Sequence, residues 1–462
     1  MDRKAFDAKA KQIASFLKQE DNFVVVNHFD ADGLSSGSII IKALQRENKS
    51  FQIKTTKQIY HATIEEIKQL GEKIIFIDFG SGQLDLLQQS FSQFAVIDHH
   101  QTMPVEHDLH FNPLLFGFDG GFELSGAGAA YFIAKEMNKK NFDLSPLAIV
   151  GAVGDIQDMS GKLIGLNREI LKEAEENKLI LTEIDLRMFG RITRPLAQYL
   201  SFSSTPVIPF LTANEENCYK FLRNLGIELK VGEKWRTYSM LSLNEKQQLT
   251  SGLLTHLVEH GLSEEKARNL IGEVYTLLNE KTNSPLRDAK EFATLLNACG
   301  RNSRTEIGIQ VCLGDRDIYY NQALSLLAEH RLLLRNSIEW VKKNGIKEFQ
   351  NFYLFDAREN IPESIVGIVA GMLYGSGIIE ADKPIIAFAN EANGGIKVSG
   401  RATQQLVENG INLGKSFKEI ASELHEKSLG GGHKIAAGCL IQANEKELFL
   451  QKLEEKLSSS KI

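Results

Sequence analysis

The sequence predicts an α/β protein: a parallel sheet with helices on both faces, then a mostly helical insert, then a smaller C-terminal α/β domain. Three observations carry this. Short runs rich in β-branched and aromatic residues, FVVVNH (23–28), FQIKTT (51–56), KIIFIDF (73–79) and FAVIDHH (94–100), alternate with helical patterns and each ends in a polar or Gly-rich turn. The same rhythm returns after residue 346 in FYLFDA, SIVGIVAGMLYGSG, PIIAFANE and GIKVSGRAT. A chain of 462 residues is also longer than one hydrophobic core organises.

The elements follow in order. Phe6, Ile13, Phe16 and Leu17 stand among charges in the first twenty residues, the pattern of an amphipathic helix and not of a signal peptide. After the four strands come helices over 125–138 and 145–157, the first with Ser125 as its N-cap. The prolines of SFSSTPVIPF break the pattern near residue 200. The expected domains are therefore 1–205, 206–345 and 346–462. In the middle one, LNEKQQLTSGLLTHLVEHG and SEEKARNLIGEVYTLL read as helices, and NQALSLLAEHRLLLRNSIEWVKKNG as a connecting helix.

Hydrophobic residues at 43% and charged residues at 24% are globular averages, and no stretch is long enough to span a bilayer. A net charge of −6 leaves nucleic-acid binding to a local groove. Cys218, Cys299, Cys312 and Cys439 lack CxxC spacing, which argues against a zinc knuckle or a disulfide framework and fits a reducing cytoplasm.

Acidic and histidine residues stand where apolar strands end. The first strand runs into His28, Asp30 and Asp32, the third ends on Asp78, the fourth on Asp98-His99-His100, and the helix at 145–157 brings Asp155. In open α/β sheets, ligands bind beyond the carboxyl ends of the strands. Carboxylates with imidazole favour manganese, and magnesium is the alternative. Two aspartates spaced D-x-D can face different cations with a third carboxylate between them, an arrangement suited to displacement at phosphorus. Each motif alone has a plain structural use: DxDG as a turn, Asp78 as a helix cap. Their joint placement after successive strands points to a metal centre.

HFDADGLSSG (28–37), IDFG (77–80), VIDHH (96–100) and GAVGD (151–155) resemble, in order and spacing, the four motifs of the DHH phosphoesterase superfamily. The resemblance implies that His28 and Asp30 hold one metal, Asp32, His99 and Asp155 the other, and that Asp78 bridges. It implies further that Asp98 orients an imidazole and that His100 serves the substrate phosphate or leaving group. One departure is His28, where RecJ-type members often carry Asp. GGGHKIAAG (430–438) resembles the signature of the DHHA1 domain and SGRAT (399–403) its SxR element, which implies that Ser399, Arg401, Gly431, Gly432 and His433 bind substrate. PLRDAKEFATLLNACGR (285–301) resembles archaeal RecJ-like proteins, including the GINS-associated nuclease, and offers Arg287 and Arg301 to a nucleic-acid backbone.

The family implies a two-manganese exonuclease of single-stranded DNA or RNA in replication or repair, with GINS or other replisome proteins as candidate partners. Small-substrate members, which hydrolyse oligoribonucleotides, cyclic dinucleotides or phosphoadenosine phosphate, are the alternative. A replisome factor without catalysis ranks third, since all expected ligands are present. From other chemistry, His256 and His260 fit the H-x-x-E-H pattern of a zinc peptidase, but the segment reads as an ordinary helix ending at Gly261. The helix-turn-helix pattern around Gly261 lacks a basic recognition helix, because Glu264, Glu265 and Glu273 offset Lys266 and Arg268.

Overall fold

The computed structural model describes residues 1–203, 207–391, 394–424 and 429–458, so the domain boundary expected at 205 and 206 lies outside the described residues. Two compact units form: Met1–Thr193 with Glu264–Ala328, and Arg194–Ser263 with Glu329–Ile462. The stretch 206–345 is therefore divided between units.

The first unit opens with α1 (Arg3–Gln19), which buries Phe6, Ile13 and Leu17. Then come β1 (Phe23–His28), α2 (Ala31–Arg46), β2 (Phe51–Thr56), α3 (His61–Lys68), β3 (Lys73–Ile77), α4 (Leu84–Ser90), β4 (Gln93–Ile97) and β5 (His110–Phe111). The five strands form one sheet in the order β2-β1-β3-β4-β5, parallel throughout.

Successive side chains go to opposite faces. Phe23, Val25, Ile75, Ile77 and Ile97 share a core with α1, α2 and the later helices α5 (Gly126–Met137) and α6 (Ser145–Gly154). Val24, Val26, Ile74, Phe76 and Val96 pack with Ile64 and Ile67 of α3 and Leu84 and Leu87 of α4. Burial on both faces explains why the strands read as unbroken apolar runs. Each such side chain contributes about 1.5–3 kcal/mol when fully buried.

Since β1 lies between β2 and β3, the connections on its two sides depart in opposite directions. The carboxyl ends of β1 and β3 form the switch point, the usual place for a ligand in such a sheet.

The unit continues with α7 (Gly165–Glu176) and β6 (Ile180–Leu186), which pairs antiparallel with the strand Ile271–Leu277. This corrects the helix expected over SEEKARNLIGEVYTLL. Only Glu264–Arg268 is helical, and the rest alternates in burial and in β-branched and aromatic residues, so it completes a two-stranded ladder. The helices Ala289–Arg301 and Thr305–Cys312 pack into the same core as α2 and α6.

In the second unit six strands follow the order Lys347–Glu348, Tyr353–Arg358, Ile385–Asn390, Ile396–Arg401, Ala436–Ile441, Leu429–Gly432. Only the pair Tyr353–Arg358 and Ile385–Asn390 is parallel. The helix Glu363–Leu373 covers one face, and Leu413–Glu423 with Lys446–Ser458 covers the other. The four cysteines are buried free thiols. Among the described residues no helix is long and apolar enough to cross a membrane.

Candidate metal centre

Four loops at the switch point bring the acidic and histidine residues together. Asp30 is the N-cap of α2: its Oδ1 accepts from Gly33 N at 3.0 Å, and its Oδ2 lies 2.9 Å from His28 Nδ1. Asp78 follows β3 with φ 65°, and this left-handed turn carries a carboxylate that is 1% exposed back across the strand ends. One of its oxygens lies 3.5 Å from His28 Nδ1 and the other 3.1 Å from His99 Nε2. Asp32 Oδ2 lies 3.6 Å from the same His99 nitrogen. Asp155 is the C-cap of α6 and brings Oδ2 to 3.9 Å from His99 Nδ1.

The helices that wall the site come close because they are built from glycine there. A Cβ on Gly126 would stand 2.4 Å from Asp78 Oδ1, and one on Gly151 2.3 Å from Asp32 Oδ1. The first turn of α5 donates two backbone N–H groups to Asp32, from Gly126 at 2.7 Å and Ala127 at 2.9 Å. Those donors hold Asp32 in place.

Charge crowding leaves the ionisation of these groups far from ordinary. Burial, aided by the Asp78 charge, pushes Asp32 well above the usual carboxylate range. Burial would raise Asp78 as well, but His28 and His99 outweigh it and hold Asp78 low. Asp155 is pushed up to about 6 by burial, with Asp78 adding to it against the pull of His99. Burial works against protonation of His28, yet Asp30 and Asp78 raise it to about 10.

A divalent metal pair fits this donor set. His28 Nδ1, His99 Nε2 and Asp78 Oδ1 are buried and have only the ionisable groups of this cluster as partners. Two groups with ligand atoms within 4.8 Å of one another are His28, Asp30, Asp78 and Asp32, His99, Asp155; a third is Asp78, His99, His100. The four carboxylates Asp30, Asp32, Asp78 and Asp155 match the charge of two divalent cations, and oxygen with imidazole suits manganese.

The imidazole that Asp98 orients is that of His100. His99 Nδ1 is hydrogen-bonded to Gly120 O at 2.6 Å, which leaves Nε2 toward the carboxylates. Asp98 instead holds the His100 ring, Oδ1 to Nδ1, at 2.8 Å. It is fully buried and also accepts from the backbone N–H of Ser81, His99 and His100. Burial opposes its ionisation, but His100 and these donors hold it well below the usual range. Asp98 thus anchors the turn, and His100, 53% exposed on its side chain, faces outward.

Sequence reasoning missed Gly120, Gln157 and Asn297. Asn297, on the helix Ala289–Arg301, accepts from Ala31 N at 3.0 Å and steadies the start of α2. Arg301 ends that helix, partly buried and within electrostatic reach of Asp30. Arg287 turns inward and donates to Leu278 O and Glu280 O, so its guanidinium is used in the fold of its own loop.

In the second unit Ser399 is buried on the strand that ends in Arg401. The Arg401 guanidinium crosses the helix Glu363–Leu373 at Gly367, where a Cβ would come within 2.5 Å of Nη2, and Nη1 donates to Gly400 O. The glycines before His433 lie in a strand, Leu429–Gly432, paired with Ala436–Ile441. A Cβ on Gly430 would stand 2.3 Å from Phe417 O, so this glycine lets the helix Leu413–Glu423 pack tightly. Gly431 opens onto free space, Gly432 has φ 134°, and His433 is exposed at the turn.

His256 bonds through Nε2 to Pro209 O and His260 through Nδ1 to His256 O, and neither belongs to a group that could hold a metal among the described residues. The helix after Gly261 has five residues, too short to read DNA.

An α/β protein of the phosphoesterase class, with acidic and imidazole groups that could hold metal, is what this fold and site define. Comparison with known proteins agrees. The DHH family, N-terminal domain, matches residues 22–152, the DHH-CID domain 188–271 and the DHHA1 domain 350–459. An uncharacterized protein of Methanocaldococcus jannaschii is 31% identical over 440 residues, 93% of this chain and 92% of that protein. The chain belongs to the DHH/DHHA1 superfamily.

Solved structures share the fold at low identity. RecJ of Thermus thermophilus in complex with manganese aligns with TM-score 0.60 and 16% identity over 98% of this chain, which spans 55% of that one. A manganese-bound exonuclease RecJ gives 0.58 and 16% over 97% of this chain and 94% of its own length. CDC45 from Entamoeba histolytica gives 0.65 and 12%, covering 99% of both.

Proposed function

We propose that the protein is a metal-dependent phosphodiesterase that removes nucleotides from the ends of single-stranded DNA or RNA, in replication or repair. The observation that carries this is the convergence of His28, Asp30, Asp32, Asp78, His99 and Asp155 at one switch point, with buried donor atoms facing only one another. His28 and Asp30 would hold one manganese or magnesium ion and Asp32, His99 and Asp155 the second, with Asp78 available to both. When bound, such a pair supplies a water of lowered pKa and neutralises phosphoryl charge.

The chain's own groups do the rest. Asp98 orients His100 and favours its protonated form against burial, so this exposed imidazole can donate to a phosphoryl oxygen or to the leaving group. Arg301 adds positive charge beside Asp30. In the second unit, Ser399, Arg401, Gly431, Gly432 and His433 are the set that holds substrate phosphates, with Arg401 as the planar donor.

A polymer substrate is favoured over a dinucleotide because residues 153–349 separate the DHH and DHHA1 matches, where small-substrate members have a short linker. The fold shared with a structure named exonuclease RecJ points the same way. The test is manganese-dependent digestion of end-labelled DNA and RNA strands beside dinucleotides. Stepwise shortening of the strands is expected; intact strands with cleaved dinucleotides contradict the proposal. Association with GINS, which the resemblance of residues 285–301 implies, is a second reading, checked by pull-down with purified GINS, where no association removes it.

A further inference from the structure

We infer that Gln157 is a positioning residue that ties His99 to Asp155 and thereby sets the affinity of the metal they share, separately from that of its neighbour. The inference rests on the two-metal reading above.

Gln157 is 1% exposed. Its Nε2 donates to Asp155 Oδ2 at 2.9 Å and to Gly120 O at 2.9 Å. That Gly120 carbonyl is the one bonded to His99 Nδ1 at 2.6 Å. Both partners of Nε2 are pure acceptors, so only an amide NH₂ serves them, and the opposite oxygen accepts from Asn167 Nδ2 at 2.6 Å. Asn167 is itself fully buried on α7. One side-chain amide therefore fixes two ligands at once.

The ligands differ in how they are held. Asp32 takes two backbone amides and Asp30 one, whereas the hydrogen bond on Asp155 comes from Gln157. The backbone is arranged to deliver that bond. Gln157 N bonds to Ala152 O and Ile156 N to Val153 O, the paired bonds that close a helix through a left-handed residue. That residue is Ile156, at φ 61°, where glycine is the norm and a β-branched side chain is strained. The turn places Gln157 beneath Asp155.

The test is manganese titration of the full chain, followed by calorimetry and by electron paramagnetic resonance. Gln157→Met keeps the volume and removes both donated bonds; Gln157→Glu keeps the Asn167 contact and turns the donor into an acceptor. In either variant one of the two ions is expected to bind 10–100-fold more weakly, roughly the effect of removing a metal site's outer partner, while the other keeps its constant. The paired-ion signal then gives way to that of an isolated ion at concentrations that fill both sites in the wild type. If one variant does not fold, the other is read. Wild-type constants for both ions, or equal weakening of both, overturn the inference. A wild-type chain that takes up no manganese contradicts the two-metal reading itself.

Discussion

His99 Nδ1 sits 2.6 Å from the carbonyl oxygen of Gly120, and this contact decides which ring nitrogen faces Asp78. The approach demands glycine at 120, because a Cβ there would stand 1.9 Å from His99 O. Gly120→Ala must push the two loops apart. We expect it to lower stability by about 1–3 kcal/mol, the usual cost of overpacking, and to weaken manganese binding at least tenfold. Thermal unfolding and calorimetric titration measure the two effects, and a variant unchanged in both contradicts this role.

Asp78 combines chemistry with an unusual backbone. At φ 65° it occupies a region that Asn and Asp tolerate and Ala does not. Asp78→Asn removes the charge and keeps the turn; Asp78→Ala adds strain. Both should abolish manganese-dependent hydrolysis, but the Ala variant should be less stable than the Asn variant by about 1 kcal/mol in denaturant unfolding. Equal stability of the two would mean that the left-handed turn is not enforced.

His110 gives a pH dependence away from the metal ligands. Asn112 Nδ2 donates to Ser81 Oγ, so the Ser81 hydroxyl proton is free to donate to His110 Nε2 at 2.8 Å, which requires a neutral ring. Burial lowers its pKa to about 4 from the ordinary 6.5. A histidine with a depressed folded pKa stabilises the fold above the unfolded value, and that contribution falls away as pH drops from 6.5 toward 4. The full effect is about 3 kcal/mol. Unfolding followed between pH 7 and 4.5 should therefore show a shallower loss of stability in His110→Asn than in the wild type, and parallel curves would refute the assignment.

The sequence was most legible where side chains must alternate or converge. The strands Phe23–His28 and Phe51–Thr56 have the bounds their apolar and β-branched runs imply. The candidate ligands are also visible as residue types at strand ends. Backbone-dictated features were harder. The helix expected to reach residue 157 stops at Gly154 because Ile156, with no glycine to announce it, takes the left-handed position. Ile271–Leu277 was read as helix because its pairing partner, Ile180–Leu186, lies far away in sequence. Gly120 works through its carbonyl and Gln157 through one amide, and neither role leaves a pattern in the residues around it.

The proposed function requires two metals that share Asp78. It is tested most directly by anomalous diffraction from crystals of the full chain grown with manganese. Two peaks are predicted, roughly 3.5–4 Å apart, one beside His28 and Asp30, the other beside Asp32, His99 and Asp155, with Asp78 touching both. A single peak, or two peaks without Asp78 between them, would contradict it.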